Sequence, residues 1–304
     1  MSDLPPTTVP VCYRHPSRET YVRCTRCNRP ICPDCMNEAS VGHQCPECVA
    51  EGKRSQRPAR TALGGRVAGR GSAAIATKTL IGINVAVALV SFAIGGLGSV
   101  AGGGLGGLLG SGTTLTEWGA VIGSATYGNP LVQHGIAHGE WYRLITAMFL
   151  HYGLLHLAMN MYALWILGRD MERFLGPARF AVLYLLAGLG GNVAAYLFSA
   201  PNAATAGAST AVFGIMAAIF VVLKRLKQSV APILPVIVIN IVFTLLVAGI
   251  SVAGHFGGLA VGAIVAAILA YAPKANRTLV QAVGCTVVLV ILIALAVYRT
   301  VALS

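Results

Sequence analysis

Nucleophilic and ionisable side chains are rare in the apolar stretches of this 304-residue chain, and the few present there stand out. Such groups are costly in hydrocarbon and are functional candidates by default. The candidates are His151 and His156, with the polar Asn160, in one stretch, Ser209 opening a second and His255 in a third, whereas Cys285, alone in an apolar helix, reads as packing. Ser209 follows Gly207-Ala208 where a loop enters an apolar segment. A serine there sits at the positive end of a helix, where its hydroxyl can attack and its N–H can hold a developing oxyanion. Taken alone, a serine in this position is read first as a helix N-cap. His255 stands among Gly254, Gly258 and Gly262, and the four-residue spacing makes a face that another helix can approach closely. A lone histidine is more often hydrogen-bonded packing than a catalyst, but a serine and a histidine brought together are a nucleophile and its base. His156 and Asn160, at i and i+4, share one helix face. They can aim two donors at an oxyanion, or simply make a polar contact between helices.

Carboxylates do not join this set. All ten acids lie in the amino-terminal module, in a long loop, or at Asp170 and Glu172. That excludes a two-aspartate membrane protease, and the lack of a His-Glu-x-x-His stretch excludes the zinc-metalloprotease motif.

A second constellation lies at the amino terminus. Cys12-x-x-His15, Cys24-x-x-Cys27, Cys32-x-x-Cys35 and Cys45-x-x-Cys48 are four pairs whose spacing suits tetrahedral zinc. Two closed four-ligand sites follow, with His43 a rival to Cys45. A disulfide framework is the competing reading, but a cytoplasmic amino terminus is kept reduced. With no spare coordination position, both zinc ions are structural, folding a segment too small for its own core.

The elements that must position these residues are membrane helices. The chain is 56% hydrophobic and 11% charged, with 36 glycines, a balance that departs from soluble domains. Its net charge of +12 is concentrated in the twelve Lys and Arg residues from Arg14 to Lys78. A basic segment abutting an apolar span marks a cytoplasmic flank, so no nucleic-acid partner is expected. The polar, cysteine-rich start lacks the pattern of a removable signal peptide. Apolar segments long enough to cross about 30 Å of hydrocarbon run near Thr79–Gly98, Trp141–Leu167, Phe180–Ala200, Ser209–Leu223, Ile233–Ile250, Val252–Tyr271 and Leu279–Tyr298. Alternate loops carry Arg169, Arg173 and Arg179, then Lys224, Arg225 and Lys227, then Lys274 and Arg277, whereas the opposite loops are nearly bare. Seven helices with the amino terminus inside satisfy that bias. Arg143 and Arg299 near outer ends are expected to snorkel to the interface. Ser209 and His255 then fall at a shared depth near the outer face. The stretch Gly98–Glu140 is a functional outer element or an unstructured insertion.

Four segments carry a family resemblance. Gly207-Ala208-Ser209-Thr210-Ala211-Val212-Phe213-Gly214 resembles the nucleophile segment of the rhomboid intramembrane proteases, and Gly254-His255-Phe256-Gly257-Gly258 resembles their base segment. His151-Tyr-Gly-Leu-Leu-His156-Leu-Ala-Met-Asn160 and Trp141-Tyr142-Arg143 are similar to further family elements in the same order. Thr210 stands where the family usually has glycine. The amino-terminal pairs resemble a B-box or other cross-brace finger, implying Cys12, His15, Cys32 and Cys35 at one ion and Cys24, Cys27, Cys45 and Cys48 at the other.

The resemblance implies an all-α polytopic membrane protein. A zinc-binding module (1–52) and a basic linker (53–77) precede a six-helix rhomboid core (78–272), and a further transmembrane helix (273–304) follows. It implies an intramembrane serine endopeptidase in which Ser209 is the nucleophile, His255 the base, and His156 and Asn160 the oxyanion donors. No cofactor is expected for catalysis. The expected partners are transmembrane protein substrates in the lipid bilayer, cut near the outer face, and a cytoplasmic protein bound by the zinc module. The expected setting is the plasma membrane of a bacterium. The alternatives are a catalytically silent rhomboid-like protein that binds membrane helices, a proton-relaying transporter, and a zinc-module scaffold on an inert anchor.

Overall fold

The computed structural model describes residues 9–56, 60–65, 74–101, 110–128 and 131–303, in two compact units, Met1–Pro58 and Ala59–Ser304. Parts of the expected linker (57–59 and 66–73) and of the long loop (102–109 and 129–130) lie outside the described residues.

The smaller unit has little regular structure. Isolated bridges join Val11 to Glu19 and Arg23 to Pro30. A single 3-10 turn, Pro33–Cys35, leads to strands β1 (Asn37–Glu38) and β2 (His43–Gln44), paired antiparallel with Asn37 opposite Gln44, and then to helix α1 (Pro46–Ser55). Its interior is mostly sulfur: Ile31 and six of the cysteines are buried.

The larger unit is a helical bundle. Helix α2 (Ile75–Gly95) is followed by two short helices, α3 (Leu97–Val100) and α4 (Thr114–Gly119). A hairpin of β3 (Ala125–Tyr127) and β4 (Val132–His134) comes next. Then follow α5 (Arg143–Thr146), α6 (Leu154–Ala163), a π-helical stretch Leu164–Gly168 and α7 (Arg169–Leu175). Four longer helices and one shorter complete it: α8 (Pro177–Phe198), α9 (Ser209–Arg225), α10 (Leu234–Leu246), α11 (Val252–Tyr271) and α12 (Arg277–Leu303). Helix α8 is apolar on all sides for most of its length and, among the described residues, is the most buried of the helices long enough to cross a membrane. Helices α9 and α11 pack against it and each other, and α12 lies against α8 and α11.

Among the described residues, α2, α8, α11 and α12 are each long and apolar enough to cross a membrane, and Arg143–Phe149 with Leu154–Leu175 makes a fifth if that pair, bent by 90°, is one span. The multi-pass character expected from the sequence stands. Helices α9 and α10, with 17 and 13 residues, reach only about 25 and 20 Å at 1.5 Å per residue. The segment expected as one helix from Trp141 to Leu167 is instead broken before α6. The chain turns at Gly153, whose φ of 84° is a conformation glycine adopts without strain. His151 accordingly lies in the turn, not on the helix.

Arg143 also departs from expectation. Instead of snorkelling it is 1% exposed and draws the long loop around itself. Its guanidinium donates to the carbonyl of Glu117 at 2.6 Å, the carbonyl of Ala120 at 3.0 Å, the Tyr127 hydroxyl at 3.0 Å and the Glu140 carboxylate at 2.6 Å. Burial alone would raise the Glu140 carboxyl, but His134, Arg143 and the Gly135 N–H hold it below its ordinary range. The described parts of the loop are therefore an ordered element. Its backbone also reaches the segment ahead of Ser209: Val121 and Thr205 exchange N–H···O bonds of 2.8 and 2.9 Å, and the Gly123 N–H donates to the Pro201 carbonyl at 2.8 Å.

Helix α2 starts without a side-chain cap of its own, and a residue 95 positions away supplies one. The Glu172 carboxylate, 4% exposed, accepts from Ala76 N–H (3.0 Å), Thr77 N–H (2.8 Å) and the Thr77 hydroxyl (2.7 Å). Each donor orphaned in the interior costs about 1–3 kcal/mol. Glu172→Ala is therefore expected to lower the thermal unfolding midpoint in detergent by several degrees, and an unchanged midpoint would remove this cap from the account.

Candidate functional site

Ser209 is the first residue of α9 and Ala208 precedes it as the N-cap. The helix-cap reading of Ser209 therefore does not hold, and its hydroxyl is engaged elsewhere. The segment leading to it is pinned from two sides, by the Val121–Thr205 bridge and by the Gly207 N–H, which donates to the Ala147 carbonyl at 2.9 Å. Gly207 has φ of 142°, and a side chain there would run into the His156 ring.

His255 lies in the first turn of α11, whose start is capped by the Ser251 hydroxyl accepting from Gly254 N–H at 3.1 Å. Glycines let α11 close on α9: a Cβ at Gly258 would overlap the backbone carbonyl of Thr210, and one at Gly262 would overlap Gly214. That approach brings His255 Nε2 to 2.7 Å from Ser209 Oγ. The Phe213 ring, one turn along α9 from Ser209, stacks on the imidazole with centroids 4.1 Å apart and planes 20° from parallel. On its far side, His255 Nδ1 lies 2.8 Å from Thr244 Oγ1. Thr210 fits because Gly191 on α8 leaves room for it and Gly254 faces it from α11.

His156 sits in the first turn of α6 and turns Nδ1 to the Tyr152 N–H, from which it accepts at 3.3 Å. A neutral ring accepting at Nδ1 carries its proton on Nε2, the nitrogen that lies beside Gly207. One N–H of Asn160 Nδ2 is committed to the His156 carbonyl at 2.9 Å, and the amide carries a second donor. A cavity of about 170 Å³ is lined by Ser209, His255, His156, Asn160, Thr244 and apolar neighbours including Met159 and Phe243. The four residues singled out in the sequence thus border one space. His151, the fifth, is 2% exposed and stands edge-on to His156 at 5.1 Å. Thr244 and Tyr152 escape a reading by residue type; the only sign of Thr244 is a lone hydroxyl in an apolar helix, one turn from Asn240.

In the amino-terminal unit the eight ligand candidates form two clusters, Cys12, His15, Cys32 and Cys35, and Cys24, Cys27, Cys45 and Cys48, each with its ligand atoms within 4.8 Å of one another. His43 lies in β2 and in neither cluster. Either cluster could hold a metal ion. A tetrahedral ion with metal–sulfur bonds of about 2.3 Å keeps its sulfurs about 3.8 Å apart, and Cys12–Cys35 and Cys27–Cys45 are 3.9 and 3.7 Å apart. The ligands are electrostatically unequal. Burial opposes ionisation of Cys24, but the backbone N–H groups of Cys27, Cys45 and Arg26 outweigh it and hold the thiol at about 6. Burial and the neighbouring sulfurs push Cys48 up to about 12. Four sulfurs this close together could share a cation, and binding one would displace the protons that the raised thiols keep.

Residues 138–272 match the family model of the rhomboid domain. The chain is 40% identical over 167 residues to rhomboid protease GluP of Bacillus subtilis, covering 51% of this chain and 32% of that protein. It is 33% identical over 147 residues to rhomboid-type serine protease 2 of Emericella nidulans, covering 46% of this chain and 29% of that one. Over 92 residues it is 38% identical to inactive rhomboid protein 1 of Papio anubis, covering 30% of this chain and 11% of that protein. The matches thus span about a third or less of these relatives' own lengths. They support the rhomboid family, and with the apolar helices an integral, multi-pass membrane protein.

Proposed function

We propose that the protein is an intramembrane serine endopeptidase of the rhomboid type, with Ser209 and His255 as its catalytic dyad. The observation that carries this reading is the 2.7 Å approach of His255 Nε2 to Ser209 Oγ at the edge of a cavity inside an apolar bundle. Ser209 Oγ attacks the scissile carbonyl while His255 takes its proton, and the acyl-enzyme forms as the proton passes to the leaving amine. Water repeats the sequence to free the acid. His156 Nε2–H, the second Asn160 N–H and the Ser209 N–H surround the oxyanion, each donor contributing about 3–4 kcal/mol to transition-state stability in comparable sites. The substrate is a transmembrane protein cut near the outer face, where its helix unwinds to present an extended carbonyl. The charge bias supports a cytoplasmic amino terminus, and the likeness to the Bacillus subtilis protease supports a bacterial plasma membrane.

The test is cleavage of a transmembrane reporter by purified protein in liposomes, with labelling of Ser209 by a serine-directed phosphonate as a second readout. Cutting and labelling together support the protease. Neither, across a panel of unrelated reporters, would hand the lead to a silent helix-binding protein, a reading to which the likeness to inactive rhomboid protein 1 lends weight.

The amino-terminal unit, in this proposal, holds two structural zinc ions and offers a docking surface to a cytoplasmic protein. Purified protein is expected to contain two zinc ions per chain by mass spectrometry of the metal. Cys24→Ser should reduce that to about one, and a strong chelator should expose the unit to protease, since such units fold only with metal bound. Full protection in chelator would overturn the structural role.

A further inference from the structure

The base has a second partner that a dyad does not require. Thr244 Oγ1 donates to the Asn240 carbonyl at 2.8 Å, one turn back along α10, and lies 2.8 Å from His255 Nδ1. A carbonyl only accepts, so the Thr244 hydroxyl proton is committed to Asn240 and its oxygen presents a lone pair to the imidazole. Nδ1 must then carry the ring proton, which leaves Nε2 unprotonated and facing Ser209 Oγ. Burial reinforces the point. Thr244 is 1% exposed and is the one residue of α10 that is buried. A helix whose outward residues are apolar has turned its sole buried position to a hydroxyl against the imidazole.

We infer that Thr244 is a positioning residue that holds His255 in the tautomer able to take the proton of Ser209, completing a neutral Ser–His–Thr relay anchored on the Asn240 carbonyl. The inference rests on the protease reading for its catalytic meaning, but the hydrogen-bond assignment stands independently of it. A charged third partner would be costly to bury here, whereas a hydroxyl whose own proton is already placed supplies a fixed acceptor without a charge. Phe213 restrains the plane of the ring by stacking. Stacking treats both tautomers alike, so only Thr244 distinguishes the two ring nitrogens on that side.

The experiment compares wild type with Thr244→Val, which keeps the shape and removes the hydroxyl, and Thr244→Ser, which keeps the hydroxyl. Loss of one buried hydrogen bond predicts a fall in kcat of about ten- to a hundredfold for Thr244→Val, with KM for the reporter little changed and activity restored in Thr244→Ser. Thermal unfolding of the three proteins monitors folding. In parallel, nitrogen-15 spectra of histidine-labelled protein, with the His255 signal identified by its loss in His255→Ala, report the tautomer whether or not the protein cuts anything. Wild type and Thr244→Ser should show protonated Nδ1, and Thr244→Val should shift toward protonated Nε2. A wild-type His255 protonated on Nε2, or a folded Thr244→Val with unchanged kcat, overturns the relay. If wild type cuts nothing, the protease reading fails, and the spectra alone decide the assignment.

Discussion

Ser209→Ala and His255→Ala should each lower the rate of reporter cleavage by about 10⁴-fold or more, and the double variant should be no slower than the worse of the two, because groups that act as a unit do not add. The expectation follows from the geometry. With Ser209 Oγ at 2.7 Å from His255 Nε2, the proposed dyad makes each residue depend on the other: an alanine at 209 would leave nothing to attack, and one at 255 would leave a hydroxyl with no base. Among the described residues, no carboxylate lines the cavity to act in place of the histidine. His156→Ala should behave differently, losing about 10²–10³-fold, the usual effect of one oxyanion donor, while phosphonate labelling of Ser209 persists at a reduced rate. Initial rates in liposomes, with thermal unfolding as a control, separate the cases. If His255→Ala kept its rate within about tenfold, proton transfer would have to be reassigned to His156, the other imidazole lining the cavity.

Residue types reveal which polar side chains are out of place among apolar helices; they do not reveal the contacts between distant segments. Ser209 and His255 stood out because polar residues are rare in hydrocarbon, and the glycines around His255 already indicated which face another helix would meet. Arg143 was misjudged for a physical reason. An arginine next to a span reads as an interface residue until a loop 20 to 30 residues away supplies its acceptors, and the carbonyls of Glu117 and Ala120 are backbone groups that no side-chain pattern reveals. The break before α6 is masked by the predominantly apolar run from Trp141 to Leu167, in which Gly153 marks the turn. Thr244 was missed because a threonine in an apolar helix is ordinarily satisfied by its own i−4 carbonyl. That bond is present here, and it is what frees the hydroxyl's lone pair for His255. In the amino-terminal unit the spacing of the pairs carried more information, since ligands two residues apart are local. Joining alternate pairs was a matter of fold resemblance until their atoms were seen together.

Gly258 offers a test of whether helix approach, not residue identity alone, creates the site. A Cβ there would overlap the Thr210 carbonyl, and backbone in the first turn of a packed helix cannot swing aside as a long side chain can. Gly258→Val must therefore push α11 away from α9. His255 lies one turn earlier on the same helix, and Thr210 adjoins Ser209, so the displacement acts directly on the 2.7 Å contact between His255 Nε2 and Ser209 Oγ. Overpacking of this kind costs about 1–3 kcal/mol. The expected result is a lower unfolding midpoint together with near-complete loss of phosphonate labelling, although both members of the dyad remain. Gly258→Ala should show the same two effects to a smaller degree. Gly82 on α2 supplies the comparison: a Cβ there meets no atom within 4 Å, so Gly82→Ala should label at the wild-type rate and unfold no earlier, the better helix propensity of alanine adding up to about 1 kcal/mol. If Gly258→Val labelled as fast as wild type, close packing of α9 and α11 would not be what poises Ser209, and its reactivity would have to come from the loop segment that enters α9.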